Sequence, residues 1–448
     1  MNEEIDTVNL LAKDYNFIGL LKFAFPSMVM MVIMGLYTIV DTIFVSNLVN
    51  TDALSAINIV CPVINIIVGV GAMLSNGASA IIARKMGEGK NKEARQNFTL
   101  IIIVGLLLGA GITCLGLLFL NSMIWGLGAS EVLYPYCRDY LLILLLFIPA
   151  SMLQMLFQNL IVTAGRPAFG MILSIGAGAV NIALDYLFMV PLNMGIRGSA
   201  LGTGIGYLIP AVIGLYFFTR NKGGLYFEKP RLDGAMLLES CLNGSSEMVS
   251  QAAAAVTTFL FNSIMMRLLG ENGVAAITII IYTQFLLTTL YIGFSMGAAP
   301  IISYNYGSQN HDRLKRMVRM CLSFILGTSV LIFIFAQLFT SALVGLFSDQ
   351  VSTVYLYARH GFSLFSFSFL FCGLNIYSSA LFTALSNGKI SAVISFLRTF
   401  GLITTALLIL PAYIGVNGVW LAVPIAEGMT MILAGVLLLG YRKKYHYL

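Results

Sequence analysis

The chain has 448 residues, of which 58% are hydrophobic and 10% charged, with a mean hydropathy of +0.90 and a net charge of +6. A soluble domain is about 25% charged, so this composition excludes one and marks an integral membrane protein. The basic excess is not a nucleic-acid surface, because nearly all of it falls in or beside the polar segments that flank the apolar runs.

Residues 1–16, MNEEIDTVNLLAKDYN, are polar and acidic and lack a basic leading segment, so no cleaved leader is expected and the helices act as the targeting signal. Apolar runs of about 20 residues follow, long enough to cross a hydrocarbon core as α-helix. The short alternating segments of a β-barrel are absent. Twelve spans are predicted, at residues 17–46, 54–83, 96–120, 132–163, 168–190, 196–219, 238–267, 274–303, 316–346, 351–385, 388–411 and 417–440. The connections RKMGEGKNKEAR, RNKGGLYFEKPR, HDRLKRMVR and YRKK fall on the side that carries both termini. That side holds 20 of the 25 Lys and Arg residues, against 4 on the other (Arg138, Arg197, Arg267, Arg359) and Arg398 within a span. By the positive-inside rule this is a multi-pass protein of the cell membrane with both termini cytoplasmic. Six scattered cysteines and three separated histidines (His311, His360, His446) imply neither a disulfide frame nor a metal centre.

An internal repeat organises these spans. Shifted by 220 residues, GASAIIARKMG (77–87) meets GAAPIISYNYG (297–307), and PLNMGIRGSAL (191–201) meets PAYIGVNGVWL (411–421). The shift moves span one onto span seven, an even step, so the two six-helix halves share one orientation, related by an axis along the membrane normal. The halves are residues 1–230 and 231–448, with a linker at about 220–235. Such a pair suits a central cavity that opens alternately to either side.

The polar residues inside the spans are distributed unevenly. Asp41, near Asn47, lies about six residues before the outer end of span one, Asp185 six residues before Pro191, and Thr203 about seven residues into span six. All three sit roughly 9–10 Å below the outer surface, with Asn181 one turn from Asp185 and Tyr37 one turn from Asp41. Two carboxylates sharing a low-dielectric site must hold a proton or a cation between them. An all-oxygen set suits H⁺ or Na⁺ rather than a soft metal. The alternative is a structural polar network, although no basic partner lies at that depth in spans one, five or six. The shift carries Asp41 onto Phe261, Asn181 onto Gly401, Asp185 onto Thr405 and Thr203 onto Val423, so the cluster occurs once.

The second half has Glu247, Arg398 and Glu427 near mid-depth, with Gln251 one turn from Glu247. One Arg between two Glu leaves a negative charge that a cationic ligand could neutralise; the alternative is a charge pair that locks helices together. Met30 and Met34 on span one, Gln154 and Gln158 on span four and Asn375 on span ten are candidates to line a substrate cavity, since thioethers and amides adapt to varied ligands. Pro26, Pro149, Pro300 and Pro424 mark places where helices can bend.

Nearly the whole chain resembles a multidrug and toxic compound extrusion (MATE) transporter, most closely the bacterial and archaeal branch with the DNA-damage-inducible and staphylococcal multidrug members. The resemblance is carried by FPSMVMM and YTIVDTIFVSNL on span one, GASAIIARKMGEGKNKEAR after span two, NIALDYLF on span five, GIRGSALGTGIGY opening span six and GVNGVWLAVPIAE in the second half. It implies an all-α fold of twelve transmembrane helices in two lobes, and antiport of organic cations against H⁺ or Na⁺. It also implies a cation site in the N-terminal lobe at Asp41, Asn181, Asp185 and Thr203, and a bend of span one at Pro26. The glutamate that one branch places later in span seven is missing here, where the run Ala252 to Ala255 stands. No cofactor is expected beyond the coupling ion, H⁺ or Na⁺, and no enzyme activity. The expected partners are small organic cations or other drugs and the lipid bilayer, not nucleic acid, with the chain acting as a monomer. The competing function is a flippase of lipid-linked oligosaccharide in the same superfamily, which would want a basic cavity for a pyrophosphate.

Overall fold

The computed structural model describes residues 10–221 and 223–448. The first nine residues, which hold much of the acidic N-terminal stretch, lie outside the described residues, as does the Asn47 side chain. Among the described residues there is no β-strand. The first half runs α1 (Phe17–Leu48), α2 (Thr51–Gly87), α3 (Asn91–Leu118), a short α4 (Leu120–Gly126), α5 (Tyr134–Leu146), α6 (Ile148–Thr163), α7 (Pro167–Met189) and α8 (Ile196–Arg220). The second runs α9 (Gly234–Gly307), α10 (His311–Leu338), a short α11 (Thr340–Gly345), α12 (Thr353–Phe365), α13 (Phe369–Ala384), α14 (Gly388–Phe396), a π-helical turn over Leu397–Gly401, α15 (Leu402–Ile414) and α16 (Val416–Tyr445).

These helices make twelve spans. Ten stretches are long and apolar enough, two of them built from consecutive helices (Thr353–Ala384 from α12 and α13, Gly388–Ile414 from α14 and α15), and α5 with α6 forms an eleventh, bent by 55° beside Pro149. The 74-residue α9 supplies the extra one. Straight, it would be about 110 Å long, more than three bilayer cores, but Gly270 (φ 65°, ψ −153°) breaks it. Glycine alone adopts that backbone without strain, which is why the sequence turns there between the spans predicted at 238–267 and 274–303. Polar breaks cap the helices that follow them: Asn50 Oδ1 accepts from Ala53 N–H at 2.7 Å and Asp233 Oδ1 from Met236 N–H at 3.0 Å. Helix α1 runs through Pro26 as one uninterrupted helix, so the bend that the resemblance implied there does not break it in this conformation.

Element boundaries keep the internal register. The ends of α2 and α9 (87 and 307), both ends of α3 and α10 (91 and 311, 118 and 338) and the starts of α8 and α16 (196 and 416) each differ by 220. Gly195 (φ 58°) and Gly415 (φ 60°), which precede α8 and α16, hold the same turn in both halves. The segment after α8 is clasped to the first half: the Arg95 guanidinium lies 4.2 Å from the centre of the Tyr226 ring and donates to its hydroxyl, and Glu228 N–H donates to Thr99 Oγ1 at 3.0 Å.

The halves meet along α1, α2 and α9, most tightly at the end that bears the basic connections. A Cβ on Gly77 would stand 1.9 Å from Ser240 O, and one on Gly244 1.8 Å from Met73 O. Nearer the end, Gly87 and Gly307 would clash in the same way with Tyr304 O and Arg84 O, a pair of contacts interchanged by the 220-residue shift. Such backbone approach is how membrane helices associate when lipid offers no hydrophobic drive. Arg84 Nη1 bonds Glu239 Oε1 at 2.9 Å and Arg316 Nη1 bonds Asp14 at 3.0 Å across the same end. Gly77→Val is therefore expected to destabilise the protein by about 1–3 kcal/mol, read as a lower unfolding temperature in detergent. Gly327→Ala, with no atom within 4 Å of its new methyl group, is expected to leave that temperature unchanged. Equal shifts for the two would contradict this account of the seam.

Candidate functional site

Helix α8 presents glycine at every fourth position, Gly198, Gly202 and Gly206, and α7 lies against that row. Phe188 packs on Gly198, Asp185 on Gly202 and Asn181 on Gly206. A Cβ on Gly202 would fall 2.0 Å from Asp185 Oδ1, so the absence of a side chain at 202 is what admits the carboxyl group. Asp185 is consequently 0% exposed and Asn181 4%.

Asp41 reaches the same place from α1. Ser199 Oγ donates to Asp41 Oδ1 at 3.1 Å, and the Asp41 and Asp185 carboxyl groups face each other. Tyr37, Tyr140 and Tyr207 stand close enough to sense the Asp41 charge. Neither oxygen of Asp185 meets a hydrogen-bond donor, and Asn181 Oδ1 is likewise buried without one. Beside them is a cavity of about 20 Å³, lined among others by Met34, Tyr37, Gln154, Asn181, Thr203 and Tyr207. That is room for one water-sized occupant. Buried acceptors normally have partners. Three acceptor atoms without donors, next to a second carboxyl group and a small cavity, form a set that a proton or a hard cation would complete.

The five residues expected to form a cation cluster, Asp41, Asn181, Asp185, Thr203 and Tyr37, are thus brought together. Sequence reasoning missed Ser199, Tyr207 and Tyr140. The first two carry a signal: Ser199, Thr203 and Tyr207 recur at i, i+4 and i+8, on one face of α8. Tyr140 comes from α5, and no spacing in the sequence points to it.

The residues expected to line a single substrate cavity fall in different places. Met34 and Gln154 line the small cavity, and Gln158 Nε2 approaches Met34 Sδ at 2.8 Å. Met30 is fully buried, with Gly170 of α7 beside its sulfur, and does not reach the cavity lining described above. Glu247 pairs with Asn76 at the seam between α2 and α9, where Gln251 packs on Gly69. Asn375 is not among the residues that line the small cavity. It joins the ion pair of the second half, donating from Nδ2 to Glu427 Oε2 at 2.7 Å, while Arg398 Nε donates to Glu427 Oε1 at 2.8 Å. His311 and His446, remote in sequence, have ring centres 4.7 Å apart at the basic end. Among the described residues no three His, Cys, Asp or Glu side chains gather as metal ligands.

The model of the MatE family matches twice, over residues 26–187 and 248–409. The chain belongs to the MatE family. It is similar to the multidrug export protein MepA of Staphylococcus haemolyticus (strain JCSC1435), at 24% identity over 96% of this chain and 94% of that protein. It is also similar to MepA of Staphylococcus aureus (strain MRSA252), at 24% identity over 93% and 92%. In fold it matches a crystal structure of MATE in complex with MaL6, with a TM-score of 0.92 at 22% identity, covering 98% of this chain and 99% of that one. It also matches a multidrug resistance MATE family transporter in an outward-facing conformation, with a TM-score of 0.91 at 21% identity over 99% and 100%. A transporter of Pyrococcus furiosus, described as having a binding pocket of reversed polarity that suggests a different function, matches with a TM-score of 0.90 at 22% identity over 99% and 100%. The two-lobed MATE fold of membrane-spanning helices is therefore established for this chain.

Because Asp185 occupies the space of a missing Gly202 side chain, Gly202→Ala is expected to displace it. The cost should be about 1–3 kcal/mol, seen as a lower unfolding temperature together with loss of transport. Gly176→Ala, on the open side of α7, is expected to affect neither. Full transport by Gly202→Ala would show that Asp185 does not need its buried position.

Proposed function

We propose that this protein is a secondary active exporter of small organic cations and other drugs, driven by H⁺ or Na⁺ that binds at Asp41 and Asp185. The observation that carries this reading is the set of buried acceptors without donors, both oxygens of Asp185 and Oδ1 of Asn181, facing a second carboxyl group. The similarity to the MepA proteins, named for multidrug export, supports the substrate class. The coupling ion is a transported species, and the residues that would hold it are Asp41, Asn181, Asp185 and Thr203, with Tyr37 and Ser199 at their side.

Mechanistically, occupancy by the ion neutralises the facing carboxyl groups and favours one arrangement of α1 against α7 and α8. Drug bound between the two halves, residues 1–230 and 231–448, favours the other. Because each ligand lowers the affinity for its competitor, ion entry from outside drives drug release to the same side. The glycine seam closes the end with the basic connections, which by the positive-inside rule is cytoplasmic. In this reading both termini lie there, and the monomer is the transporting unit. Exchange of one ion for one singly charged drug moves no net charge, so the ion's own concentration gradient sets that of the drug, about tenfold for each 1.4 kcal/mol; for an uncharged drug, 100 mV adds about 2.3 kcal/mol.

Flipping of a lipid-linked oligosaccharide is the weaker reading. It would call on a free basic group in the substrate cavity for a pyrophosphate, and Arg398, the one basic residue deep in a span among the described residues, is engaged by Glu427.

The test is ethidium accumulation by inside-out vesicles under an imposed H⁺ or Na⁺ gradient. Wild type is expected to respond to one of the two, and Asp41→Asn to accumulate no dye above its concentration outside. Accumulation under neither gradient would remove the antiport reading, and undiminished accumulation in Asp41→Asn would remove that residue from the coupling site.

A further inference from the structure

The small cavity of the first half has a counterpart in the second, and that counterpart is filled. Helix α13 follows α6 by 221 residues at both ends (148 and 369, 163 and 384), while α16 follows α8 by 220 at its start. In that register Gln154 corresponds to Asn375 and Tyr207 to Glu427. Arg398 corresponds to Ala177 or Gly178, according to whether the shift is 221 or 220. All four first-half residues line the cavity of about 20 Å³.

Their three counterparts meet at Glu427, which bonds both of the others. Glu427, 1% exposed, takes Arg398 Nε on Oε1 and Asn375 Nδ2 on Oε2. Where the first half leaves room beside a glycine and an alanine, the second half inserts a guanidinium group. Two further features mark the place. Arg398 sits on the π-helical turn Leu397–Gly401, an irregularity that recurs at functional positions in helices. Asn375 Oδ1, wholly buried, meets no donor, so the site keeps an acceptor to spare, as the first-half cavity does at Asn181. The first-half carboxylates correspond to Phe261 and Thr405, which leaves Glu427 as the anion in contact with the guanidinium, with Glu247 more distant.

We propose that Arg398 is a tethered cation. It holds in the second half the place that an exchangeable ion takes in the first, and so confines ion exchange to Asp41 and Asp185. The inference rests on the reading of Asp41 and Asp185 as a cation site and extends it to the opposite half. Arg398 would then be a determinant of how many ions the protein binds. Removing its side chain leaves a buried anion that recruits a soluble cation, for which guanidinium, with the same planar donors, is the closest probe.

The experiment uses the full chain carrying Asp41→Asn, which takes the first-half site out of the readout. Thermal unfolding in detergent is followed with millimolar guanidinium chloride against tetramethylammonium chloride of equal ionic strength. Asp41→Asn alone is expected to show no difference between the salts. Adding Arg398→Ala is expected to create a saturable rise of several degrees in guanidinium, and adding Glu427→Gln as well is expected to abolish it. No guanidinium response in the Arg398→Ala background, or a response that survives Glu427→Gln, would overturn the proposal. Should Arg398→Ala not fold, Arg398→Gln is read in the same way. Recovery of either variant only when guanidinium is present during purification supports the proposal, and loss of both in its presence overturns it. If Asp41 proves not to couple ions, vesicle transport shows it and this unfolding test is unaffected.

Discussion

A fully buried carboxyl group, Asp185, facing a half-buried one, Asp41, with no basic residue beside them among the described residues, sets the terms for the rest of the molecule. Asp185 has left water completely, and Asp41 is held by a single serine hydroxyl among the bonds described. Neither can be charged cheaply beside the other. On the proposed reading, this arrangement is tolerated because a proton or small cation enters and leaves. The glycine row on α8 exists to make the burial possible, since any side chain at 202 would occupy the space of the carboxylate. The same close packing of α7 on α8 fixes Asn181 beside it, so the site is built by rigid helices rather than loops, as a switch with narrow geometric tolerance requires.

The two halves share a scaffold and divide the chemistry. Matching boundaries at 87 and 307, 118 and 338, and 196 and 416 record one architecture used twice. At the cytoplasmic end of the proposed orientation the halves are joined by interchanged glycine contacts and by Arg84–Glu239. These are contacts that a rocking motion can make and break, because each is a backbone approach or an ion pair at the rim rather than interlocked side chains. Deeper in, the halves diverge. The first keeps carboxyl groups and a small cavity; the second keeps an arginine bound to a glutamate. Alternating access, as proposed, would need the ion to act on a moving part, and α1, lying between α7 and the seam with α9, is placed to feel both.

Much of this was legible in the sequence, for identifiable reasons. The spans follow from run length, the break at Gly270 from its place between two predicted runs, and the cluster from equal depth of Asp41, Asp185 and Thr203. Depth is a one-dimensional quantity and the spacing of helical residues supplies it. What was not legible depended on which helix faces which. Met30 and Met34 lie one turn apart, yet only Met34 lines the cavity, because the packing of α1 against α7 decides the difference. Arg398, Glu427 and Asn375 come from three spans, and only their assembly distinguishes a free cationic subsite from a closed pair. Tyr140 was invisible for the same reason, whereas Ser199 and Tyr207 could have been read from the four-residue period through Thr203.

The central claim is that ion and drug compete through the Asp41 and Asp185 site, and drug-evoked ion release tests it most directly. Purified protein in weakly buffered solution is mixed with a cationic drug while a pH indicator, or a Na⁺-selective probe, follows the medium. The account predicts about one ion released per drug bound, and no release from Asp185→Asn. Drug binding that releases no ion from wild type, or release that persists in Asp185→Asn, would contradict it.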